Sequence, residues 1–244
     1  MQSGNPVRLV RHPRARRLRL RFDLTNGEAV LTMPPRASRA QAMAFLTAQQ
    51  DWLAEQRARL APPVPFAPGV VLDIFGDTLT LVHEPAQRGA RWTPEALIIG
   101  GPRDHFARRV QSAVRARALA LFSEQATALS ARLGLGAPKV ALRDTRSRWG
   151  SCTADGRIQL SWRLAFAPAC VARYVVAHEV AHRRELNHSP RFWALVGQLV
   201  GPHEAERRWL ATQGYHLLRL GVAEVPQKVE LAPQKPVLAR LFGF

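Results

Sequence analysis

Around position 180 the chain reads Val175-Val176-Ala177-His178-Glu179-Val180-Ala181-His182. Residues four apart lie on one face of an α-helix, one turn removed. The imidazoles of His178 and His182 can therefore converge on a single cation. Glu179 follows the first histidine directly, so its carboxylate leans to one side, where it reaches a water on that cation without being a ligand. The apolar run before His178 predicts a helix buried over most of its circumference. Two histidines and a glutamate are costly to bury unless something compensates them, and a metal ion does so. Zinc in a hydrolytic site takes three protein ligands and leaves one position open. His188 is the expected third. A continuous helix would carry it off the ligand face, because six residues make about 1.7 turns. The helix must therefore stop near Leu186. Asn187 tolerates the left-handed conformation that such a stop needs, and Ser189-Pro190 supplies the cap and first residue of a new helix. His188 is thus expected in a tight turn between two helices, completing a site for one zinc ion per chain, with Glu179 as general base. The competing reading is a surface helix with two ordinary histidines, against which the apolar run argues.

Several other residues have two readings. Tyr174, four before His178, shares its face and could steady an oxyanion or simply pack. Arg148 could do the same or serve as an ion-pair partner. Glu185 could orient His182 through its carboxylate or stand in solvent at the helix end. Cys152 and Cys170 are expected as small buried thiols, too few for a disulfide framework. His203 and His216 are expected at the surface or packed, and His12, His83 and His105 have no assigned role.

The elements that must position these groups can be read along the chain. Residues 7–33 look like strands, with Asn26-Gly27 as a hairpin signal. Ser38 could cap a helix running to about Leu60. The proline-rich segment 61–68 reads as a linker. Strands are expected at 70–75, 78–83 and 96–99. Gly100-Gly101-Pro102 marks a boundary, with Pro102 as a first helical residue and a long helix to Leu133, closed by Gly134. A strand at 140–143 and a hairpin at 149–162, turning at Asp155-Gly156, come next. Helices at 169–186, 189–199 and 205–213 follow, and residues 221–244 read as an extended tail. The division expected is a strand-rich region at 1–100, a catalytic region at 101–220 and the tail.

Composition narrows the function classes. Of 244 residues, 47% are hydrophobic, enough for a real core, and 22% charged, which argues against general disorder. No apolar run reaches the length of a membrane span, and the first residues lack an apolar signal segment, so a cytoplasmic location is expected. The net charge is +17, nearly all of it arginine. That charge admits an anionic partner, nucleic acid among them, although no nucleic-acid-binding motif is visible.

Ser147-Arg148-Trp149-Gly150-Ser151-Cys152, then the stretch Ile158-Gln159-Leu160-Ser161-Trp162-Arg163-Leu164, Ala167-Pro168, Tyr174 through Glu179, Asn187-His188-Ser189 and Phe192-Trp193 together resemble the YgjP-like metallopeptidase family, which is related to the SprT-like and WLM zincins. The resemblance runs from the first residues to about 220 and is strongest at 140–195. It implies an α+β fold, a zincin-like core of helices packed on a small mixed sheet. It also implies zinc ligands at His178, His182 and His188, a catalytic Glu179, and a peptide or protein substrate. The hairpin that carries the strand at 157–162 is then a candidate edge for an extended peptide, with plain core sheet as the other reading of that strand. Metzincins share the five-residue gap before the third histidine but place glycine where Glu185 stands and a methionine beneath the site. No methionine lies beyond Met43, so that branch does not fit. Two other functions remain open: a nucleic-acid-associated protease of the SprT-like kind acting on DNA-bound proteins, and a zinc module without catalysis. Oligomeric state is not legible.

Overall fold

The structure is a computed structural model and describes residues 7–222. Its fold is α+β, with small mixed sheets and helices packed on them. The first sheet holds β1 (Arg8–Arg11), β2 (Arg19–Asp23) and β3 (Glu28–Met33) in the order β1-β3-β2. β3 alternates strictly between half-buried and buried positions, as a strand with one face on a core must. That face meets α1 (Arg39–Ala48), which begins at a complete Ser38–Gln41 capping box. Leu31, Met33 and Ala42 form a small core there, with Phe45 and Leu46 against it.

A single helix from Ser38 to Leu60 does not form. Gln49 leaves helical geometry at φ −107°, ψ 12°, and its N–H bonds back to Leu46 O, three residues away. α2 (Gln50–Ala58) restarts after this break and buries Leu53. The 61–68 segment is a packed connector rather than a free linker. Phe66 is buried against Trp162 and Phe166, with ring centroids 6.3 and 5.7 Å away. Val64 pairs with Leu220.

The second sheet runs β4-β5-β7-β6, from β4 (Val71–Ile74), β5 (Asp77–His83), β6 (Ala90–Trp92) and β7 (Ala96–Ile99). β6 was not anticipated. It is three residues long, too short for a periodic signal, and is formed by pairing with β7. Pro102 precedes a 3₁₀ turn at Arg103–His105, and the long α3 (Phe106–Arg132) starts after that turn. One stripe of α3, Phe106, Val110, Val114, Ala118, Phe122, Ala126 and Leu129, is buried. Its spacing is that of a single helical face.

The third sheet, β8-β10-β9, comprises β8 (Val140–Arg143), β9 (Gly150–Cys152) and β10 (Ile158–Ser161). The hairpin turns through Gly156 at φ +78°. β10 is the central strand, parallel to β8 and antiparallel to β9. Of the two readings of the 157–162 strand, core sheet is the one that holds, because both of its sides are hydrogen-bonded, and the edge of the same hairpin is β9. α4 (Ala169–Ala181), α5 (Pro190–Val200) and α6 (Glu204–Thr212) complete the domain. α4 lies in the middle of the main core, buried by α3 and α5. Among the described residues, no helix is long and apolar enough to cross a membrane.

Arg163 ties the end of this sheet to the C-terminal 3₁₀ turn at Gly214–Arg219. It is buried, and its guanidinium donates to Asp144 Oδ1 at 2.8 Å, Leu217 O at 2.9 Å and Leu220 O at 2.8 Å. Burial tends to raise the Asp144 pKa, but the hydrogen bond and charge of Arg163 outweigh it, and the carboxyl sits below its ordinary value. The contribution of the pair is thus complete above the unfolded-state carboxylate range and is lost as pH falls through the lowered value. Arg163→Met strands the two carbonyls and the half-exposed carboxylate. We expect it to cost about 3 kcal/mol in denaturant unfolding, and a loss under 1 kcal/mol would contradict this role.

Candidate metal centre

The helix carrying the motif ends at Ala181, sooner than expected, with His182 as its cap. Long-range anchors account for the early end. Arg183 Nη1 donates to Ser130 Oγ at 2.7 Å and to Gly136 O at 2.8 Å, and Arg184 donates to Leu133 O. Both arginines are thereby pulled onto the C-terminal end of α3. The chain then loops through Asn187 into α5, whose cap is Ser189 and whose first residue is Pro190.

That loop returns His188 to the motif. His178, His182 and His188 each offer a ligand atom, and these atoms lie within 4.8 Å of one another. His178 Nε2 and His188 Nε2 are 3.1 Å apart. His182 Nδ1 is 3.1 Å from Glu185 O. With Nδ1–H donating to that carbonyl, the lone pair of Nε2 is free for a cation. The orienting group is thus the Glu185 backbone, not its carboxylate.

Electrostatics favour the metal-competent form of the rings. Burial, reinforced by His182 and His188, pushes the His178 pKa down to about 3. Burial also lowers His182. Neutral imidazoles are the ligating species. Glu179 is buried, and its Oε2 has no hydrogen-bond partner. Burial pushes its carboxyl up to about 8, with Arg148 opposing. A divalent cation nearby would draw that value down. An all-nitrogen donor set beside an orphaned buried carboxylate oxygen fits a zinc ion.

Phe192 is the residue whose part the motif reading missed. It is fully buried, and its ring centroid lies 4.4 to 4.8 Å from all three imidazoles, holding them against α5. Trp193 stacks on His188 at 5.7 Å. The available signal was position: both follow His188 within the first turn of the capped helix.

Gly150 is the second such residue. A Cβ there would lie 2.7 Å from Glu179 Cγ and Cδ, closer than real side chains come. β9 therefore passes directly over the Glu179 carboxylate. Gly150→Ala should push that carboxylate aside and lower kcat/KM about 100-fold with zinc content unchanged. Activity within threefold of the parent would contradict the contact.

The remaining candidates fall outside this cluster. Tyr174 is buried edge-on to His178 at 6.0 Å and stacked on His203 at 5.4 Å, a packed aromatic. His203 is buried between Tyr174 and Trp193, with Nδ1 3.0 Å from Gly201 O. Arg148 is exposed and forms no ion pair among the described residues. Its charge acts on Glu179. Cys152 is half-buried and its thiol is pushed up to about 11, by burial first and the Glu179 charge second. Cys170 is exposed, correcting the expectation of a buried thiol. It sits in the first turn of α4 on the side away from the core. His12, His105 and His216 are exposed, and His83 bonds Gly101 O at 2.7 Å.

Comparison with known proteins gives one family: the YgjP-like, metallopeptidase domain matches residues 16–213. No curated protein and no solved structure matches the chain.

Proposed function

Because the chain belongs to the YgjP-like metallopeptidase family, we propose that it hydrolyses peptide bonds with a single zinc ion held by His178, His182 and His188 and with Glu179 as general base. The carrying observation is the approach of three imidazole nitrogens within 4.8 Å of one another beside a buried carboxylate oxygen without a partner. Zinc held there would supply Lewis acidity, lowering the pKa of water and polarising the scissile carbonyl. The chain's own residues handle the proton. Glu179 Oε2 takes it from the attacking water and returns it to the leaving amine. Its burial keeps bulk water from competing for that proton. The three rings are kept in register by Phe192, and the His182 tautomer by Glu185 O. Arg148, whose charge acts on the same carboxylate, is the residue we assign to steadying a developing oxyanion.

An extended substrate has a place to bind. β9 is an edge of its sheet, and its outer side is not paired with another strand among the described residues. It passes over Glu179 at Gly150. A peptide added to β9 by main-chain hydrogen bonds would bring its carbonyls past the catalytic carboxylate.

The test pairs metal analysis with an unbiased screen for new peptide termini. Purified protein should carry close to one zinc per chain and generate termini that disappear with chelation. A metal-free protein, or termini indifferent to chelation, would defeat the reading.

A further inference from the structure

Away from the histidine cluster, on the N-terminal sheet, positive charge is concentrated without compensation. Seven arginines fall between Arg8 and Arg21, and no acidic residue interrupts them. Side chains alternate between the faces of a strand. The pairings Arg8↔Val30, Arg21↔Val30 and Arg19↔Thr32 set these three arginines on the face of Val30 and Thr32. Leu31 and Met33 turn the other way, onto α1. The loop joining β1 and β2 adds Arg14, Arg16 and Arg17 at the rim. Together Arg14, Arg16, Arg17, Arg19 and Arg21 line a groove of about 600 Å³.

All five are exposed, and none forms an ion pair among the described residues. The two acids on the same face are already engaged: Glu28 by Arg8 at 2.5 Å and Asp23 by Arg146. Five mutually repelling guanidiniums around one groove do nothing for folding. They suit a ligand whose own negative charges repeat along its length.

We propose that this groove binds the phosphodiester backbone of double-stranded nucleic acid, without reading its sequence. The planar guanidinium fork matches phosphate oxygens two at a time, and duplex DNA offers a charge about every 1.7 Å of its axis. The face between the arginines carries Val10, Val30 and Thr32, and the ring lining the groove is the single imidazole of His12, with no phenyl, phenol or indole beside it. Single strands are held largely by stacking on such rings, so the duplex is the better fit. An anionic membrane surface also attracts clustered arginines, but stable docking there adds inserted apolar residues, and this face carries no exposed large apolar side chain. The exposed Leu9 pairs with Leu31 and points to the opposite face. The proposal rests on none of the peptidase chemistry.

The test is fluorescence anisotropy of the full chain with a labelled 20-base-pair duplex of arbitrary sequence across a salt series. Five phosphate contacts predict micromolar binding at low salt and a log K against log salt slope of about −4.5. Replacing Arg16, Arg17, Arg19 and Arg21 with Gln should weaken binding more than tenfold and flatten the slope by about 3 to 4. A control removing equal charge elsewhere, at the exposed Arg103, Arg108, Arg191 and Arg208, should leave the slope near the parent's. The four-Lys version of the groove variant should recover most of it, which a folding defect would not. The proposal fails if the two Gln variants lose binding equally, if no duplex binding occurs at about 50 mM salt, or if anionic phosphatidylserine vesicles or polyglutamate compete better than duplex.

Discussion

Glu179→Gln is expected to lower kcat/KM for peptide hydrolysis by about 10²- to 10⁴-fold while leaving one zinc per chain. The amide keeps the shape of the side chain and the packing against Gly150, so the ligand geometry has no reason to move. What it removes is the ability of Oε2 to hold a proton between the attack of water and the departure of the amine. Glu179 is 4% exposed, so bulk water does not replace it from outside. The neutral amide also spares the fold a carboxylate that burial disfavours. Unfolding midpoints of the metal-free variant should therefore equal or exceed those of the parent. Zinc content by mass spectrometry, turnover of a substrate found in the terminus screen, and a denaturation curve separate the outcomes. Turnover within tenfold of the parent at equal zinc loading would remove Glu179 from the role of general base.

His188→Ala carries the second large effect. Two of the nitrogens come from neighbouring turns of one helix, and the third arrives only through the loop after Ala181. Removing it leaves a two-ligand site. Affinity should fall by well over the roughly 100-fold that loss of a mere orienting partner costs a metal site, and peptide hydrolysis should vanish with the metal. His188 is exposed in the turn, so the helices on either side should survive and circular dichroism should not change. The exposed His216 makes a control, since its replacement by Ala should leave zinc binding intact. Chelator competition measures both. Retention of parental zinc affinity in the His188 variant would show that the ion, if bound, uses other ligands.

The parts of this protein governed by near neighbours in the chain were legible beforehand. The four-residue step from His178 to His182, the Ser38 and Ser189 caps, the Gly156 turn and the close of the long helix at Gly134 are all local relations, encoded within a few residues of one another. The family resemblance rested on short strings of residues of the same local kind, and it implied the α+β class. What could not be read belongs to contacts made across long stretches of sequence. Whether β9 or β10 is the edge depends on where β8 pairs. That the helix ends at Ala181 depends on Arg183 and Arg184 finding Ser130, Gly136 and Leu133. The room that Gly150 leaves for Glu179 exists only once β9 crosses α4, and the three rings touch Phe192 only once α5 has docked. Residue spacing along one helix determined which groups face a common side. Only the folded chain decided what closes over them, because that follows from which distant surfaces bury one another, a property no short window of residues contains.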